Sequence, residues 1–564
     1  MKLSKRLALF LAFIMLFSIM AGCGKTPVSP VNSPVNSSSP SSQTVGSDKA
    51  AEVDVSNLDE AKIKELIASH TDANGKSFVS VAITDDPGSM LPQGSGSSKP
   101  RMVVLEGIFE GLFCIQGTGG ELAPVLAEGY EILADGLTYR IKLKDYVYDS
   151  QGNHFTANDV YFAMEKVARE QYKVASTNYV KEVKVVDDYT VDIVFNSKMS
   201  NYIINTLIMF LFTQKSYEAS TDGMITTPVG TGPYKLTKWV SGSEMVFEAR
   251  DDYWEKDKSK IKRNSLYNVD KIIYKVIKDA AQRVIALEAK EVDICTGISA
   301  TDLGNFNNNP DYNVFNSLQD QVVSLAFNSS ENSKLQDVKI RQAIAYAIDK
   351  QGVVDGVDQG NGKVCYTAFC DIFPDFDKKW ESEDYYNFNV EKAKTLLKEA
   401  GVAEGSLKIK IMFENNDRLA NVAQVIQGYL MNVGIELEIF PCDGALFNTY
   451  KLDNTKSDIL MFSAGSSTYG SSSLIGNLNS RAADKTLIGI KEDVLWDKIT
   501  KMAENAYTDW SYAHDLHYYV KDNCYLISLY APINFTVTSK VVTGLVLNQK
   551  GMDSPNCSTY IWNK

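Results

Sequence analysis

Residues 122–167 read LAPVLAEGYEILADGLTYRIKLKDYVYDSQGNHFTANDVYFAMEKV, and both kinds of regular structure are written into this one stretch. Residues 138–147 (TYRIKLKDYV) alternate apolar and polar side chains, the period of a strand with one buried face. Thr156-Ala157-Asn158-Asp159 then spells a capping box, and Val160, Met164 and Val167 follow at spacings that line one side of a helix. Alternating strands handing over to a capped helix predict mixed α and β layers.

The flanks repeat the mixture. FVSVAI (78–83) alternates as a strand, residues 183–195 read as two short strands around the Asp187-Asp188 turn, and 234–239 and 271–277 add further strands. Asp337 caps a helix carrying Ile340, Ile344, Ala347 and Ile348 on one side, and a second helix over 390–400 is stopped by Gly401. No internal repeat is visible. In TPVGTGPYKL (227–236) the glycines allow a tight turn with positive φ, and Pro233 fixes φ ahead of the next strand. The Lys-Ser/Thr ending of a phosphate-cradling loop is missing, which argues against nucleotide binding.

The N-terminus is an address. Lys2, Lys5 and Arg6 precede an apolar stretch over residues 7–20 that is too short to span comfortably, and Met20-Ala21-Gly22-Cys23 resembles the lipobox of bacterial lipoproteins. The expectation is a signal peptide over 1–22 and lipidation at Cys23, so that the body is held at the extracytoplasmic face of the cell membrane by lipid alone. Residues 23–77 then form a Ser/Pro-rich tether, whose composition cannot bury enough apolar surface to fold. It ends in a short helix, opened by Ser56 and Asp59, with Leu58, Ile63, Leu66 and Ile67 on one face.

A chain of 564 residues implies two to four domains. A formal charge of −13 repels phosphate backbones and excludes nucleic acid as a partner. Seven cysteines remain after Cys23, scattered rather than spaced as a disulfide framework; buried thiols are expected, with Cys365 and Cys370 near enough to pair locally. With four histidines in all, His-based metal chemistry has few candidates, and His514 and His517 sit among Tyr512, Tyr518 and Tyr519 on a helix that reads as packed rather than metal-binding. No G-x-S-x-G or H-E-x-x-H run is present, so no enzyme activity, cofactor or metal is expected.

Four ordered blocks carry a family resemblance: EGIFEGLF (106–113) with the opening stretch over 122–167, GTGPY (230–234), RDDYW (250–254), and DVKIRQAI followed by YAID (337–349). Together they resemble the peptide-type (family 5) solute-binding proteins of ABC importers, the class of oligopeptide-, dipeptide- and nickel-binding proteins. The resemblance spans about 78–564. It implies an α/β, two-lobed, periplasmic-binding-protein-like fold of class II type, with an extra domain and a discontinuous first lobe. Residues 78–115, 226–330 and 534–564 would form domain I, 116–225 the extra domain II, and 331–533 domain III. It further implies a monomer that captures a small ligand, foremost an oligopeptide, in an interlobe cleft that closes by a hinge, and delivers it to a membrane permease. A non-peptide ligand such as an oligosaccharide or nickel chelate, or a signal-sensing role, is the alternative. Arg341 is expected as an ion-pair partner rather than a ligand contact.

By the same resemblance the ligand strand is residues 457–469, giving Phe462, Ser463, Ala464, Gly465, Ser466 and Ser467 as ligand-binding candidates. Ala464 stands where the family's peptide binders carry a tryptophan, and Ser467 where they present an aspartate to the ligand's α-amino group. The missing charge-assisted hydrogen bond is worth about 1.5 to 3 kcal/mol. Tyr179, Tyr530 and Asn534 fall at further cleft positions.

Overall fold

The computed structural model describes residues 43–44, 60–94, 99–116, 121–257, 259–261, 269–318, 321–369, 371–465, 468–478, 487–490 and 492–542. The signal segment, Cys23, most of the tether, Cys370, Ser466, Ser467 and residues 543–564 lie outside them.

FVSVAI forms the strand Phe78–Ile83, but all of it beyond Phe78 is buried rather than every second residue. The reason is its place in the interior of a sheet, parallel to Lys271–Val276 on one side and Ile294–Ile298 on the other. The sheet runs Tyr234–Val240, Glu244–Ala249, Lys271–Val276, Phe78–Ile83, Ile294–Ile298, Leu526–Ser539, Val322–Phe327, Ile459–Ala464, Leu407–Glu414, Ile435–Cys442. Leu526–Ser539 joins its two halves. Residues 533–539 pair with Tyr312–Leu318 in the first half, and residues 526–530 pair with Val322–Phe327 in the second.

The chain therefore passes between halves after Leu318 and before Val322, and again near 531–532. Val322–Phe327, which the sequence reading places in the first domain's run to 330, hydrogen-bonds wholly in the second half. Its uniformly buried VVSLAF suits an interior strand flanked on both edges.

Between the first strand and Tyr234–Val240 the chain builds a separate antiparallel sheet, in the order Ala127–Ile132, Thr138–Leu143, Thr190–Phe195, Val180–Asp187. The Thr156/Asp159 capping box is present, and Val160, Met164 and Val167 are buried as their spacing predicts. After Tyr161 the helix widens into π turns over Phe162–Gln171. The N-terminal helix, Glu60–Ser69, packs Leu66 on the first core, but Ile67 is 42% exposed. Adjacent helical positions diverge by about 100°, so the two cannot share a narrow stripe.

The recurring motifs turn out to interlock. The Arg250 guanidinium donates to the carbonyls of Gly230, Thr231 and Gly232 at 3.3, 3.2 and 3.0 Å and to that of Asp149 at 2.9 Å. Glu110 accepts from Tyr253 at 2.7 Å and from Trp254 at 3.0 Å. Gly230 and Gly232 are not among the positive-φ glycines, contrary to the sequence reading. They are required instead by close approach: a Cβ at Gly230 would stand 2.1 Å from the Ile108 carbonyl oxygen, and one at Gly232 2.7 Å from that of Gly107.

Arg341 also departs from expectation. It is buried, and its guanidinium donates to four main-chain carbonyls, those of Leu335, Gln336, Asn523 and Cys524.

Lys350 is buried in the second half, its Nζ donating to the carbonyls of Tyr385 at 2.7 Å and Cys365 at 3.3 Å and lying 4.1 Å from the Tyr385 ring centroid. Burial pulls this ammonium from its ordinary 10.5 down to about 7. A depressed lysine binds fewer protons folded than unfolded between those values, so its contribution makes stability rise with pH above 7. Denaturant midpoints of Lys350→Met should lack that rise, about 2 kcal/mol between pH 7 and 8.5. An identical slope in variant and wild type would count against the assignment.

Candidate functional site

Where the chain crosses between halves, Leu318, Val322, Cys365, Ile372, Phe373, Phe462, Ala464 and Ala531 pack into one small cluster. Lys363 lies beside this floor, 2.5 Å from Asp371 and 3.9 Å from Glu381. Ile459–Ala464 ends at the cluster. One edge of that strand is paired throughout, from Phe327 opposite Ile459 to Val322 opposite Ala464. Along the other edge, Leu407–Glu414 pairs only with Ile459 and Leu460 before diverging. The main-chain edge over 461–465 is thus left without a strand partner among the described residues. Phe462 is half-buried, Ser463 and Gly465 are exposed and Ala464 is buried, the alternation of a strand whose side chains point to opposite faces.

Beyond the strand the chain turns sharply at Gly470–Ser472, and a buried carboxylate holds the turn. Asp375 accepts from the N–H groups of Gly470 at 3.0 Å and Ser471 at 2.7 Å, and from the Ser471 hydroxyl at 2.5 Å. Burial pushes its carboxyl above the ordinary range, and these donors offset part of the shift. The Tyr507 hydroxyl donates to the Thr468 carbonyl at 2.8 Å. Tyr469, fully buried, stands edge-on to Tyr507.

The segment that carries the separate antiparallel sheet reaches this turn. Its helix Ser200–Leu207 buries Ile203 and Leu207 in the first core, while Met199 and Tyr202 pack on the cluster containing Tyr469, Leu474 and Ala506. The ring of Tyr179 stacks on that of Tyr202, centroids 3.6 Å apart and planes at 12°.

Of the sequence candidates, the structure gathers Phe462, Ser463, Ala464 and Gly465 at the junction and sets Tyr179 across from the turn that follows. Asn534 lies on the first-half portion of the crossing strand, opposite Ser317. Tyr530 sits apart from them. Its ring is enclosed in the second core against Gly362, and its hydroxyl donates to Asp358 at 2.6 Å, which in turn pairs with Arg418 at 3.2 Å. Sequence reasoning missed Tyr202, Tyr469 and Asp375, none of which carries a local signal, because their roles come from contacts far along the chain.

His517 stacks on Trp380 at 4.0 Å and hydrogen-bonds to the Thr367 hydroxyl at 2.8 Å; burial pushes its imidazole down to about 3, so it is neutral. His514 lies 3.7 Å from Asp377. Among the described residues no cluster of three or more His, Cys, Asp or Glu side chains is placed to hold a metal ion. No helix among them is long and apolar enough to cross a membrane.

The family profile described as "Bacterial extracellular solute-binding proteins, family 5 Middle" matches residues 121–485. The chain is 26% identical over 355 residues to the dipeptide-binding protein of Escherichia coli (strain K12), covering 57% of this chain and 63% of that one. It is 27% identical over 337 residues to the oligopeptide-binding protein AppA of Bacillus subtilis (strain 168), covering 56% and 60%. These matches span about three fifths of the length of the curated relatives.

Among solved structures, NikA from Brucella suis in complex with Fe(III)-EDTA superposes with a TM-score of 0.74 at 22% identity, covering 86% of this chain and 99% of that one. AppA from Bacillus subtilis in complex with a nonapeptide gives 0.69 at 20%, covering 86% and 98%. At such identities the likeness establishes the fold, that of two-lobed binding proteins.

Proposed function

The chain belongs to the bacterial extracellular solute-binding proteins of family 5, a family of binding proteins rather than enzymes, and from that premise we propose that it is the ligand-capturing lipoprotein of an ABC importer. It takes up a small ligand, foremost an oligopeptide, between its lobes outside the membrane and hands it to a permease. Lipidation at Cys23 tethers it, a reading supported by the apolar stretch that ends in Met20-Ala21-Gly22-Cys23. The working unit is a monomer.

The observation that carries the reading is the main-chain edge over 461–465, without a strand partner among the described residues, beside the points where the chain crosses between lobes. An extended peptide can add to such an edge through its own backbone, which any sequence supplies, while its side chains alternate into the space on either face. Phe462, Ser463, Ala464 and Gly465 line it, with Asn534 contributing from the opposite lobe; Ser466 and Ser467, proposed with them from the sequence, lie outside the described residues. A polar serine-rich run without an aspartate at 467 also suits a ligand lacking a free ammonium, such as a saccharide.

Thermal unfolding of the purified body in the presence of peptide, oligosaccharide and nickel-chelate pools separates these, since a ligand selective for the folded state raises stability by RT ln(1 + [L]/Kd). Peptides are expected to raise the melting temperature. A response confined to saccharides or nickel chelates would overturn the peptide assignment and leave solute capture standing. Conversion of any of these ligands to product would overturn the binding-protein reading itself.

A further inference from the structure

We propose that His70 is a protonation-dependent clasp: as an imidazolium it holds the N-terminal helix Glu60–Ser69 against the first half of the sheet, and on losing its charge it lets the helix go. The surroundings of the ring carry the argument. Its Nε2 lies 2.8 Å from the carboxylate of Asp293, and its Nδ1 lies 3.0 Å from the Leu66 carbonyl oxygen and 2.9 Å from the Ser69 hydroxyl. A carbonyl oxygen and an ionised carboxylate only accept, and the one proton of the Ser69 hydroxyl is already donated to the Leu66 carbonyl at 2.8 Å. Both ring nitrogens therefore face acceptors, and only an imidazolium has a proton for each. A neutral ring turns a lone pair on one of them.

Asp293 is itself fixed. Its second oxygen accepts from the Ser80 N–H at 2.8 Å and the Ser80 hydroxyl at 2.6 Å, and its first from the Ser539 hydroxyl at 3.2 Å. Burial works against its charge, but His70 and Ser80 outweigh burial and hold the carboxyl below its ordinary range. The helix has little else in the way of apolar burial: of its described side chains only Leu66 is partly buried, on the first core, and the rest are exposed. Past the ring the chain is secured separately, by the Phe78 N–H on the His70 carbonyl at 2.9 Å and by Asp72 on Lys271 at 2.6 Å. Release of the helix would therefore stop at His70.

The remaining charges favour the protonated ring. A cavity of about 420 Å³ beside it is lined by Glu65 of the same helix and by Glu291, Asp293 and Asp311 of the body, four carboxylates against the three ammonium groups of Lys275, Lys290 and Lys540. Two of those ammonium groups are turned to other partners, Lys275 to the Glu291 carbonyl at 2.8 Å and Lys540 to the Asn313 side chain at 2.5 Å. Lys64, on the same helix, is exposed. Burial alone would lower the imidazole; the hydrogen bond and charge of Asp293, with the Leu66 carbonyl, outweigh it and raise the ring above its ordinary 6.5. The clasp is thus complete below 6.5 and is lost as pH climbs through the raised value. On the lipid-anchor reading above, release adds the ten residues of the helix to the tether, about 30 Å of reach when extended.

The test is hydrogen–deuterium exchange of the full chain in detergent, read as protection over 60–69 after correction for intrinsic rates, together with an NMR titration of the His70 ring. Protection is expected to be tenfold or more higher at about pH 5.5 than at about pH 9, the ratio that one charge-assisted hydrogen bond sustains, while the strand Phe78–Ile83 keeps its own within about threefold. His70→Gln retains a donor for Asp293 but has no charge to lose, so its helix should be equally protected at both pH values, within about threefold. The wild-type ring should titrate above 6.5.

Wild-type protection that is equal at the two pH values or absent at both, a tenfold fall that persists in His70→Gln, or a ring that titrates below 6.5 overturns the clasp. Should the variant fail to fold, wild-type exchange and the ring titration decide the matter between them. None of these measurements depends on Cys23, so failure of the clasp leaves the anchor reading untouched, and failure of the anchor leaves the clasp.

Discussion

Gly230→Ala is expected to leave little folded protein. The added methyl would sit 2.1 Å from the Ile108 carbonyl oxygen and 2.8 Å from the Phe109 ring, and neither a carbonyl within the main chain nor a ring fixed in the core can give way. Relief requires the turn to back away. That would break the hydrogen bonds from the Gly232 and Tyr234 amides to the Ile108 and Gly107 carbonyls, at 2.8 and 2.9 Å, and pull three carbonyl acceptors from Arg250. Overpacking combined with lost buried hydrogen bonds places the cost at about 4 kcal/mol or more, a large part of a typical domain's stability. Soluble yield and urea midpoint measure it. Gly428→Ala is the control, since that methyl, in the helix Asp417–Met431, meets nothing within 4 Å and should be neutral or mildly stabilising. A Gly230→Ala protein with the wild-type midpoint would show that the close approach is not what this glycine is for.

Arg341→Met should be nearly as damaging, for a different reason. Methionine fills much of the volume but donates nothing, so four carbonyls lose their donor in a site that is 4% exposed. At about 1 kcal/mol or more for each orphaned group the loss is about 3 to 5 kcal/mol. Two of the four carbonyls, those of Asn523 and Cys524, lie at the end of the helix Ser511–Asn523, where Cys524 takes up positive φ just ahead of the crossing strand. The damage should therefore spread to the crossing strand, and amide exchange over 526–533 should quicken. Arg341→Lys should rescue little, because one ammonium cannot span carbonyls that the guanidinium fork reaches on two sides. A melting temperature within about 2 °C of the wild type would refute this account.

Much of the fold is legible locally. The strands Phe78–Ile83 and Tyr234–Val240 stand where the sequence pattern puts them, though the first is buried on both faces, and Asp337 caps its helix through a side-chain oxygen, as residue type and position lead one to expect. What escapes is whatever depends on a partner distant in the chain. Arg341 reads as half of an ion pair because sequence shows charge but not the carbonyls 182 and 183 positions away that accept hydrogen bonds from its guanidinium. Gly230 reads as a conformational glycine because the Ile108 carbonyl that excludes a side chain lies far upstream. Tyr530 lies at the crossing by sequence, yet Asp358 and Gly362 draw its ring into the second core. Tyr179 cannot announce Tyr202 as its partner, and an unpaired stretch of strand edge is invisible until the diverging neighbour is seen.

The order of the sheet also governs how the molecule is made. Leu526–Ser539 occupies the slot between Ile294–Ile298 and Tyr312–Leu318, and near its start the slot between Gly362–Val364 and Val322–Phe327. Both slots stay vacant until this late segment has been synthesised. A nascent chain that has emerged as far as residue 500 holds every neighbour of that strand but not the strand itself, so neither half can close its ladder at that point. In any chain made or passed from its N-terminus, such a topology leaves both halves open until residues 526–539 have arrived.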